Sequence, residues 1–457
     1  MLPAHVFREY DIRGLVDTDL TDEVVDRIAR ALALRVRASG GGAVVLGRDC
    51  RLSSDRFRRV LCRALNECGV DVIDVGEVPT PMVYYGAHVL PGVGGMVAIT
   101  GSHNPPEYNG FKVGLGTHAL FGEEIRELRR LGEAGDFPVG RGEVREVDLL
   151  PRYLHDVASR ISMGGRRLRV VVDAGNGVGG VVARPLYERL GVEVIGMYLD
   201  PDGRFPHHHP DPSVEANLTE LRERVLAEKA DLGIAFDGDA DRIGVVDEKG
   251  RILWGDELTV LYARAVLAEQ PGATVISEVK CSQVLYDEVE RLGGRAIMWK
   301  AGHSLIKAKM KETGAALAGE MSGHVFFADR WYGFDDAAYA GARLLEILSR
   351  TDRPLSSLLA DLPRTFSTPE IRHPVGSEER KFAIVRRAVE HFRAQGHRVI
   401  DVDGARVIFP DGAWGLVRAS NTTPILVLRF EAPSEARLAE VRAIFSDVLS
   451  QLEREVA

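Results

Sequence analysis

The sequence predicts an α/β protein of four domains: three similar α/β units with mixed, mostly parallel sheets, then a C-terminal α+β domain with an antiparallel sheet. The chain has 457 residues, too many for a single hydrophobic core. Strand, turn and helix patterns alternate through most of its length, in units that begin near residues 43, 168 and 273. After the helix pattern that begins at Glu379, strand patterns follow one another directly, which is typical of an antiparallel sheet.

Composition indicates where the domains meet. Residues 132–147 are rich in glycine and charge, residues 246–257 form a turn before a new helix, and residues 350–370 carry three prolines. We therefore expect domains at residues 1–147, 148–248, 249–365 and 366–457.

The elements of the three α/β units follow from hydrophobic period and capping residues. AVVLGRD, from Ala43, predicts a strand, and the next helix is capped by Ser53 and stops at Gly69. The other predicted elements are the strands VDVIDVG, RLRVVVD, VEVIGMYL and TVISEVK, two strands around the acidic turn FDGDADR, a helix around residues 185–190, and the helix SQVLYDEVERLGG.

Charge and hydropathy exclude several classes of protein. The net charge of −9 argues against general nucleic-acid binding, and no apolar run approaches the roughly 18 residues of a membrane helix. Arg8, Glu9 and Asp11 stand where a signal peptide needs apolar residues. The four cysteines lack zinc-site spacing, which favours free thiols. We expect a cytoplasmic protein with neither nucleic-acid nor membrane partners.

The segment ITGSHNPPEYNGFK, residues 99–112, is the first candidate site. It follows a buried strand and is rich in turn residues, and Asn109-Gly110 predicts a hairpin turn before a return strand. Ser102 is expected to be exposed on a rigid loop, with Lys112 on the opposite arm. Lysines are few in this chain, and lysine, unlike arginine, can release a proton when its environment lowers its pKa.

A second candidate site is the acidic turn FDGDADRIG. Asp237, Asp239 and Asp241 recur at every second residue, and three hard oxygen ligands without histidine or cysteine favour Mg²⁺. An EF-hand is rejected because Arg242 occupies the position that requires glycine. The alternative is a solvated acidic turn.

Two further loops carry polar groups suited to a sugar phosphate. GEMSGH offers Glu320 and Ser322, which can accept from and donate to neighbouring hydroxyls, although a polar turn explains the segment equally simply. RASNTTP combines Arg418 with hydroxyl and amide side chains and resembles a phosphate cradle. For AGHSLIK, with His303 and Lys307, the sequence supports a functional site and an ordinary surface segment equally.

Two patterns are set aside. GNGVGG, residues 175–180, fits the loose glycine pattern of a dinucleotide site and would support a nicotinamide-dependent dehydrogenase, but a tight strand–helix turn is the simpler interpretation in a chain with 48 glycines. The run of histidines at 207–209 invites a metal interpretation. Adjacent histidines rarely converge on one ion, so a proline-bounded loop is expected.

Taken together, the motifs indicate phosphoryl transfer, in which positioning and charge stabilisation do most of the chemistry. TGSHNP, DGDADR, GEMSGH and RASNTTP, in this order, resemble the bacterial phosphomannomutase/phosphoglucomutase group of the α-D-phosphohexomutases. The resemblance extends from FREYDIRG, residues 7–14, to the last strands. It implies a phosphohexomutase that interconverts hexose 1-phosphate and hexose 6-phosphate, of mannose, glucose or both, through a phosphoserine and a hexose 1,6-bisphosphate.

The resemblance also implies roles for individual residues. The catalytic residues would be Ser102, carried as phosphoserine, Lys112 as general acid/base, His303 as another acid/base or orienting group, and His103, Arg242 and Arg13 around the transferring phosphate. The cation, Mg²⁺, would bind Asp237, Asp239 and Asp241 and the phosphate on Ser102. The substrate-binding residues would be Tyr10, Lys280, Glu320, Ser322, His324, Arg418, Ser420, Asn421 and Thr422.

Departures from the family pattern are small. Ala240 stands where glycine is common, while Gly101 and Met321 agree with the mannose/glucose group rather than with phosphoglucosamine mutases. The alternatives are a phosphoglucosamine mutase, a metal-dependent sugar-phosphate phosphatase and a non-catalytic sugar-phosphate binding protein. The expected partners are small hexose phosphates, with the bisphosphate as activator, and the expected state is a monomer or homodimer.

Overall fold

The computed structural model describes residues 2–420 and 425–456. Each sheet is built from residues that are close in the chain, and three of the four combine parallel with antiparallel strand pairs. The helices are α1 Asp22–Ala38, α2 Ser54–Glu67, α3 Thr80–Val89, α4 Glu123–Ala134, α5 Leu150–Ser159, α6 Gly179–Arg189, α7 Thr219–Glu228, α8 Gly255–Glu269, α9 Gln283–Arg291, α10 His303–Thr313, α11 Ala337–Ser349, α12 Glu378–Ala394 and α13 Glu435–Glu455.

The first sheet has the strand order β1-β5-β4-β2-β3-β7, with β6 added beside β5. Strands β2, β3, β4 and β7 run parallel, and β1, β5 and β6 form antiparallel pairs. These strands are β1 Ile12–Leu15, β2 Ala43–Arg48, β3 Val72–Glu77, β4 Val93–Ile99, β5 Tyr108–Leu115, β6 His118–Ala119 and β7 Val144–Glu146.

The second and third sheets repeat this plan on a smaller scale. Their orders are β12-β11-β10-β8-β9 and β14-β13-β15-β16, each with parallel strands that end in antiparallel neighbours. The strands are β8 Arg169–Asp173, β9 Glu193–Met197, β10 Leu232–Phe236, β11 Ile243–Asp247, β12 Ile252–Leu253, β13 Thr274–Glu278, β14 Arg295–Trp299, β15 Leu317–Gly319 and β16 Val325–Phe327.

The fourth sheet is antiparallel throughout, in the order β17-β22-β21-β20-β19 with β18 beside β22. Its strands are β17 Phe366–Ser367, β18 Ile371–Pro374, β19 Arg398–Ile400, β20 Ala405–Ile408, β21 Trp414–Ala419 and β22 Ile425–Ala432. Helices α12 and α13 bury Phe392 and Phe445 against this sheet. The predicted fold class, three mixed α/β units and one antiparallel α+β domain, is confirmed.

The hydrophobic cores show which domains are packed together. One continuous core runs through the first three units and includes Tyr85, Tyr153, Tyr187 and Tyr339. The first unit has a second core on its other face, and the C-terminal domain has its own. The first three units therefore pack as one body, whereas most of the C-terminal core is separate. Among the described residues, no helix is both long and apolar enough to cross a membrane.

The turn predicted at Asn109-Gly110 is wrong. Both residues lie inside β5 and pair with β1, and the chain reverses earlier, between residues 100 and 107. The Asn109 amide donates to the hydroxyls of Ser53 and Ser54, and a side chain at Gly110 would strike the Ile12 carbonyl oxygen at 2.2 Å. Asn109 and Gly110 allow close packing between β1, β5 and the start of α2, and this packing outweighs their preference for a turn. Ser53 precedes α2 as predicted but makes no side-chain capping hydrogen bond.

Candidate active site

Ser102 lies at the buried start of the loop that follows β4, where this loop faces the second unit. Its side chain is 2% exposed, so the expectation of an exposed serine is wrong. The hydroxyl donates to Asp237 Oδ2 at 2.9 Å, and His103 Nδ1 lies 3.1 Å from Ser102 Oγ. The backbone at Ser102 has φ of 49°, a left-handed conformation held in part by its amide donating to Thr100 Oγ1 at 2.8 Å. The loop therefore presents one hydroxyl to the acidic turn.

Arg51 is the internal support of this loop. Its guanidinium is fully buried and is paired with Asp49. It donates to four backbone carbonyl oxygens of the serine loop, those of Ser102, Asn104, Pro105 and Tyr108. From the second unit, His209 Nε2 contacts the His103 carbonyl. The loop is thus fixed from two domains.

The acidic turn lies between β10 and β11 and gathers Asp237, Asp239 and Asp241. All three are fully buried, and one carboxylate oxygen of each lies within 4.8 Å of the others. The backbone amides of Asp241 and Arg242 donate to Asp237 Oδ1 at 3.2 and 3.1 Å. Within the described chain, Asp239 Oδ1 is buried without a hydrogen-bond partner. This set of hard oxygen donors fits a small divalent cation such as Mg²⁺.

Lys112 supplies the positive charge that faces these carboxylates. Its ammonium donates to Asp239 Oδ2 at 2.7 Å and to Asp241 Oδ2, and Thr80 Oγ1 donates to Asp239 Oδ2 at 2.6 Å. Burial lowers the pKa of Lys112, but the adjacent carboxylates outweigh burial and raise this pKa well above its ordinary value. Burial raises the pKa of Asp237 well above its usual range, and the other two aspartates add to the rise. Lys112 therefore holds its proton in this arrangement.

The GEMSGH loop joins β15 to β16 and contacts the acidic turn through His324. The imidazole Nδ1 lies 2.9 Å from Glu320 Oε2, and Nε2 lies 3.3 Å from Asp241 Oδ1. Burial lowers the pKa of His324, but Asp241 and Glu320 outweigh burial and raise it to about 9. Ser322 Oγ lies 3.0 Å from His324 Nδ1. Arg242 also forms a backbone bridge with His324, so the second and third units meet at this point.

His303 is the first residue of α10, and the structure places it in the site. Its ring lies 5.0 Å from the ring of Tyr10 and 5.6 Å from that of His324. The preceding amide, Gly302 N, donates to Glu320 Oε1 at 2.7 Å, which ties the start of the helix to the GEMSGH loop. The sequence alone could not decide whether this segment belongs to a site or to the surface, because only the folded structure brings it close to Glu320.

Lys280 and Arg418 lie where the C-terminal domain meets the third unit. Lys280 Nζ donates to Glu370 Oε2 at 3.1 Å. Arg418 Nε donates to Asp403 Oδ2 at 3.0 Å, and the same oxygen accepts from the Ala301 amide. Arg418 Nη2 is buried and has no hydrogen-bond partner within the described ranges. Arg418 therefore lies one carboxylate away from the loop that carries His303.

The remaining predicted residues are placed as follows. Arg13 donates to Asp11 and, at 2.5 Å, to Asn104 Oδ1 of the serine loop. The Ser420 side chain is buried, and its carbonyl accepts from Lys381 Nζ at 2.6 Å. Asn421 and Thr422 lie outside the described residues.

The two patterns set aside have structural explanations. A side chain at Gly177 would lie 2.7 Å from the Gly238 carbonyl oxygen, and the Val178 amide donates to that same oxygen at 3.1 Å. The glycine-rich turn therefore packs directly against the acidic turn. The histidines at 207–209 contact three different partners, Asn176, Asp173 and the His103 carbonyl, and do not converge on one point.

Sequence reasoning missed several residues that build the site, namely Arg51, Thr80, His209 and Asp335, whose Oδ1 accepts from Lys307 Nζ at 2.7 Å. Arg51 alone carries a local signal, because it lies three residues after the end of β2 and pairs with Asp49 of the same short turn. The others act through contacts between distant parts of the chain.

Residues from different domains assemble the site around one buried hydroxyl, three carboxylates and several positively charged side chains. This set of groups is suited to phosphoryl transfer. Comparison with known proteins identifies the family. Four family models match the chain, in order along it. They are those of the phosphoglucomutase/phosphomannomutase alpha/beta/alpha domain I at residues 4–136, domain II at 151–250, domain III at 254–366, and the C-terminal domain at 370–448.

Curated relatives and solved structures agree. A Pseudomonas aeruginosa phosphomannomutase/phosphoglucomutase is 50% identical over 452 residues, which are 99% of this chain and 97% of that protein. A Neisseria meningitidis phosphoglucomutase is 47% identical and covers 97% of this chain and 96% of its own. A Burkholderia thailandensis phosphoglucomutase/phosphomannomutase family protein superposes with a TM-score of 0.93 at 45% identity, over 99% of this chain and 98% of that one. The chain belongs to the phosphoglucomutase/phosphomannomutase family.

Proposed function

We propose that this phosphohexomutase interconverts the 1-phosphates and 6-phosphates of glucose and mannose through a phosphoserine at Ser102 and a hexose 1,6-bisphosphate. The enzyme gives its phosphoryl group to a hexose phosphate. The bisphosphate then turns end for end without release, and its other phosphate returns to Ser102. The names of the relatives favour this reaction over the hydrolase, dehydrogenase and phosphoglucosamine alternatives.

One observation carries the proposal. The Ser102 hydroxyl lies 2.9 Å from Asp237 Oδ2, on a loop that is held rigidly. A rigid serine beside a cation site is suited to accept and return a phosphoryl group. The second anchor is Arg418, which leaves Nη2 free of hydrogen bonds to any described residue and suits the phosphate that is not reacting.

The chain's own residues take these roles in the proposal. Arg13 and His103 flank the transferring phosphate on the serine loop, and Arg242 faces it from the acidic turn. Lys112 and His303 are the proton-handling or orienting groups. The residues that bind the sugar and its distal phosphate are Tyr10, Lys280, Glu320, Ser322, His324, Arg418, Ser420, Asn421 and Thr422.

The residues that would hold Mg²⁺ are Asp237, Asp239, Asp241 and the phosphorylated Ser102. When bound, the ion supplies charge stabilisation for the phosphate oxygens. Because Lys112 contacts two of these carboxylates, it offsets part of the negative charge of the cluster. Activation by hexose 1,6-bisphosphate, cytoplasmic location, a monomeric or homodimeric state, and domain limits at 1–147, 148–248, 249–365 and 366–457 belong to the same proposal.

Phosphorus NMR tests the reaction. The purified protein, with Mg²⁺ and a trace of glucose 1,6-bisphosphate, receives glucose 1-phosphate, mannose 1-phosphate or glucosamine 1-phosphate in separate samples. We expect 6-phosphates from the first two and little from the third. Ser102→Ala should abolish this conversion, whereas Ser159→Ala, at the end of α5 and outside the site, should convert at the wild-type rate.

Each other outcome has a distinct meaning. Inorganic phosphate in place of 6-phosphates would show a hydrolase. Preferred conversion of glucosamine 1-phosphate would show a phosphoglucosamine mutase. Near-normal conversion by Ser102→Ala would exclude Ser102 as the phosphoryl carrier.

A further inference from the structure

We propose that Lys307 is a positioning residue that fixes the tautomer of His303, with the proton on Nε2, so that His303 presents an N–H donor to an oxygen of the bound hexose phosphate. The inference rests on the proposed function for the identity of that ligand. The tautomer itself is a property of the protein alone.

The surroundings of His303 Nδ1 carry the inference. Lys307 Nζ lies 3.2 Å from Nδ1, and Ser304 Oγ lies 3.4 Å from it. A lysine ammonium has three donors and no acceptor, so a hydrogen bond between these nitrogens requires Nδ1 to accept. A neutral imidazole that accepts at Nδ1 carries its proton on Nε2.

Lys307 is held in place to make this contact. It stands four residues after His303 in α10, so both side chains lie on one face of the helix. Its ammonium donates to Asp335 Oδ1 at 2.7 Å and lies 4.1 Å from the centroid of the Tyr84 ring. Burial lowers the pKa of Lys307, and the fully buried Asp335 carboxylate opposes this effect and directs the ammonium toward His303.

Asp335 is also the competing partner. Its Oδ2 lies 3.5 Å from His303 Nδ1 and has no hydrogen bond to any described residue. In the absence of the lysine, this carboxylate would accept a hydrogen bond from a protonated Nδ1, and the ring would then be in the opposite tautomer. Lys307 therefore decides between two arrangements that the same pocket can hold.

The other ring nitrogen faces the site. His303 Nε2 is buried and lacks a hydrogen-bond partner among residues 2–420 and 425–456. The Tyr10 and His324 rings lie beside it, and Gly302 ties the helix start to Glu320 of the sugar loop. Burial, reinforced by the Lys307 charge, lowers the pKa of His303 well below its ordinary value, in keeping with a ring that carries one proton. A buried N–H without a partner requires an acceptor, and a hydroxyl or phosphate oxygen of the ligand supplies one.

Nitrogen-15 NMR of protein labelled at histidine measures the tautomer directly, and His303→Gln identifies the resonances. In the ligand-free wild type we expect an unprotonated Nδ1 and a protonated Nε2. Lys307→Met should move the proton to Nδ1 and lower kcat by about a hundredfold, the lower end of what proton-handling groups contribute. Lys307→Arg, which keeps a cationic donor, should retain the wild-type tautomer and recover much of kcat. Lys309→Met, two residues further along α10, is the matched control.

A protonated Nδ1 in the wild type would overturn the proposal, as would an unchanged tautomer in Lys307→Met. Should Lys307→Met fail to fold, Lys307→Gln replaces it. The wild-type spectrum needs no substrate. An inactive wild type with the expected tautomer would therefore refute the proposed function and not this inference.

Discussion

Arg51 Nη2 donates a hydrogen bond to the backbone carbonyl of Ser102 at 2.8 Å, so a buried guanidinium holds the backbone of this serine directly. The same side chain holds three more carbonyls of the loop, between 2.6 and 2.9 Å. A planar guanidinium with five donors can satisfy such a set, and a lysine ammonium with three cannot. The orientation of Ser102 therefore depends on Arg51 as well as on the loop itself.

Arg51→Lys should slow phosphorylation of Ser102 and lower kcat by about a hundredfold. Carbonyls left without a donor cost about 1–3 kcal/mol each, and the loop would rearrange to recover part of this energy. Intact-protein mass spectrometry after treatment with glucose 1,6-bisphosphate reports the phosphorylated fraction. Arg59→Lys, an exposed arginine of α2, controls for the exchange of one cation for another. Wild-type phosphorylation kinetics in Arg51→Lys would show that the loop is rigid without this contact.

Gly101→Ala should lower turnover of glucose 1-phosphate and mannose 1-phosphate to the same extent. A Cβ at this position would lie 2.5 Å from Arg51 Cζ, and the guanidinium cannot withdraw without losing its carbonyls. At Gly165 a Cβ meets nothing within 4 Å, which makes Gly165→Ala the matched control. Steady-state kinetics with three 1-phosphates decide the matter. A selective gain with glucosamine 1-phosphate would show instead that Gly101 sets the sugar preference.

Much of the fold could be predicted from the sequence because its signals are local. The strand from Ala43 and the helix capped by Ser282 follow from hydrophobic period and capping chemistry, and both are found where expected. The turn at Asn109-Gly110 failed because the same residue types also serve close packing between strands. Asn109 donates hydrogen bonds to two serines at the start of α2, and no local signal in its own segment indicates that α2 is near.

The candidate site likewise contains parts that local sequence signals predict and parts that depend on contacts between distant residues. The acidic turn is one continuous segment, so its three aspartates lie close together in the structure as they do in the chain. The serine loop is likewise one segment of the chain. Asp335 and His209 contact the site across long separations in sequence, so only the packing of the domains brings them there. The expected exposure of Ser102 was wrong for this reason, since the second unit covers the loop.

Arg418→Ala should weaken binding of both glucose 1-phosphate and glucose 6-phosphate by roughly ten- to a hundredfold, since a hydrogen bond to a charged group contributes about 1.5–3 kcal/mol. Both isomers are affected if each presents its unreacted phosphate to the same guanidinium, whose Nη2 no described residue engages. Calorimetric titration in a Ser102→Ala background avoids turnover. Arg372→Ala, an exposed arginine of the same domain, is the control. Loss of affinity for one isomer alone would contradict a shared phosphate anchor.

Asp336 should give the protein a component of stability that declines as pH rises from about 4 to 6. It caps α11 and accepts hydrogen bonds from Tyr339 N, Tyr153 Oη and Trp331 Nε1, but its burial outweighs these bonds and raises its pKa to about 6. An acid whose folded pKa lies above its unfolded value binds more protons in the folded state. Its contribution is greatest when it is protonated and is lost as pH rises through the folded pKa.

The difference in unfolding free energy between wild type and Asp336→Asn should therefore fall by about 3 kcal/mol over this interval, because each pKa unit corresponds to about 1.4 kcal/mol. Thermal unfolding at several pH values from 4 to 7 measures the difference, and taking it against the variant removes the carboxylates common to both proteins. Asp352→Asn, at an exposed position, should leave the pH profile unchanged. A wild-type-minus-variant difference that rises with pH would mean that the three hydrogen bonds outweigh burial at Asp336, with the pKa lowered in place of raised.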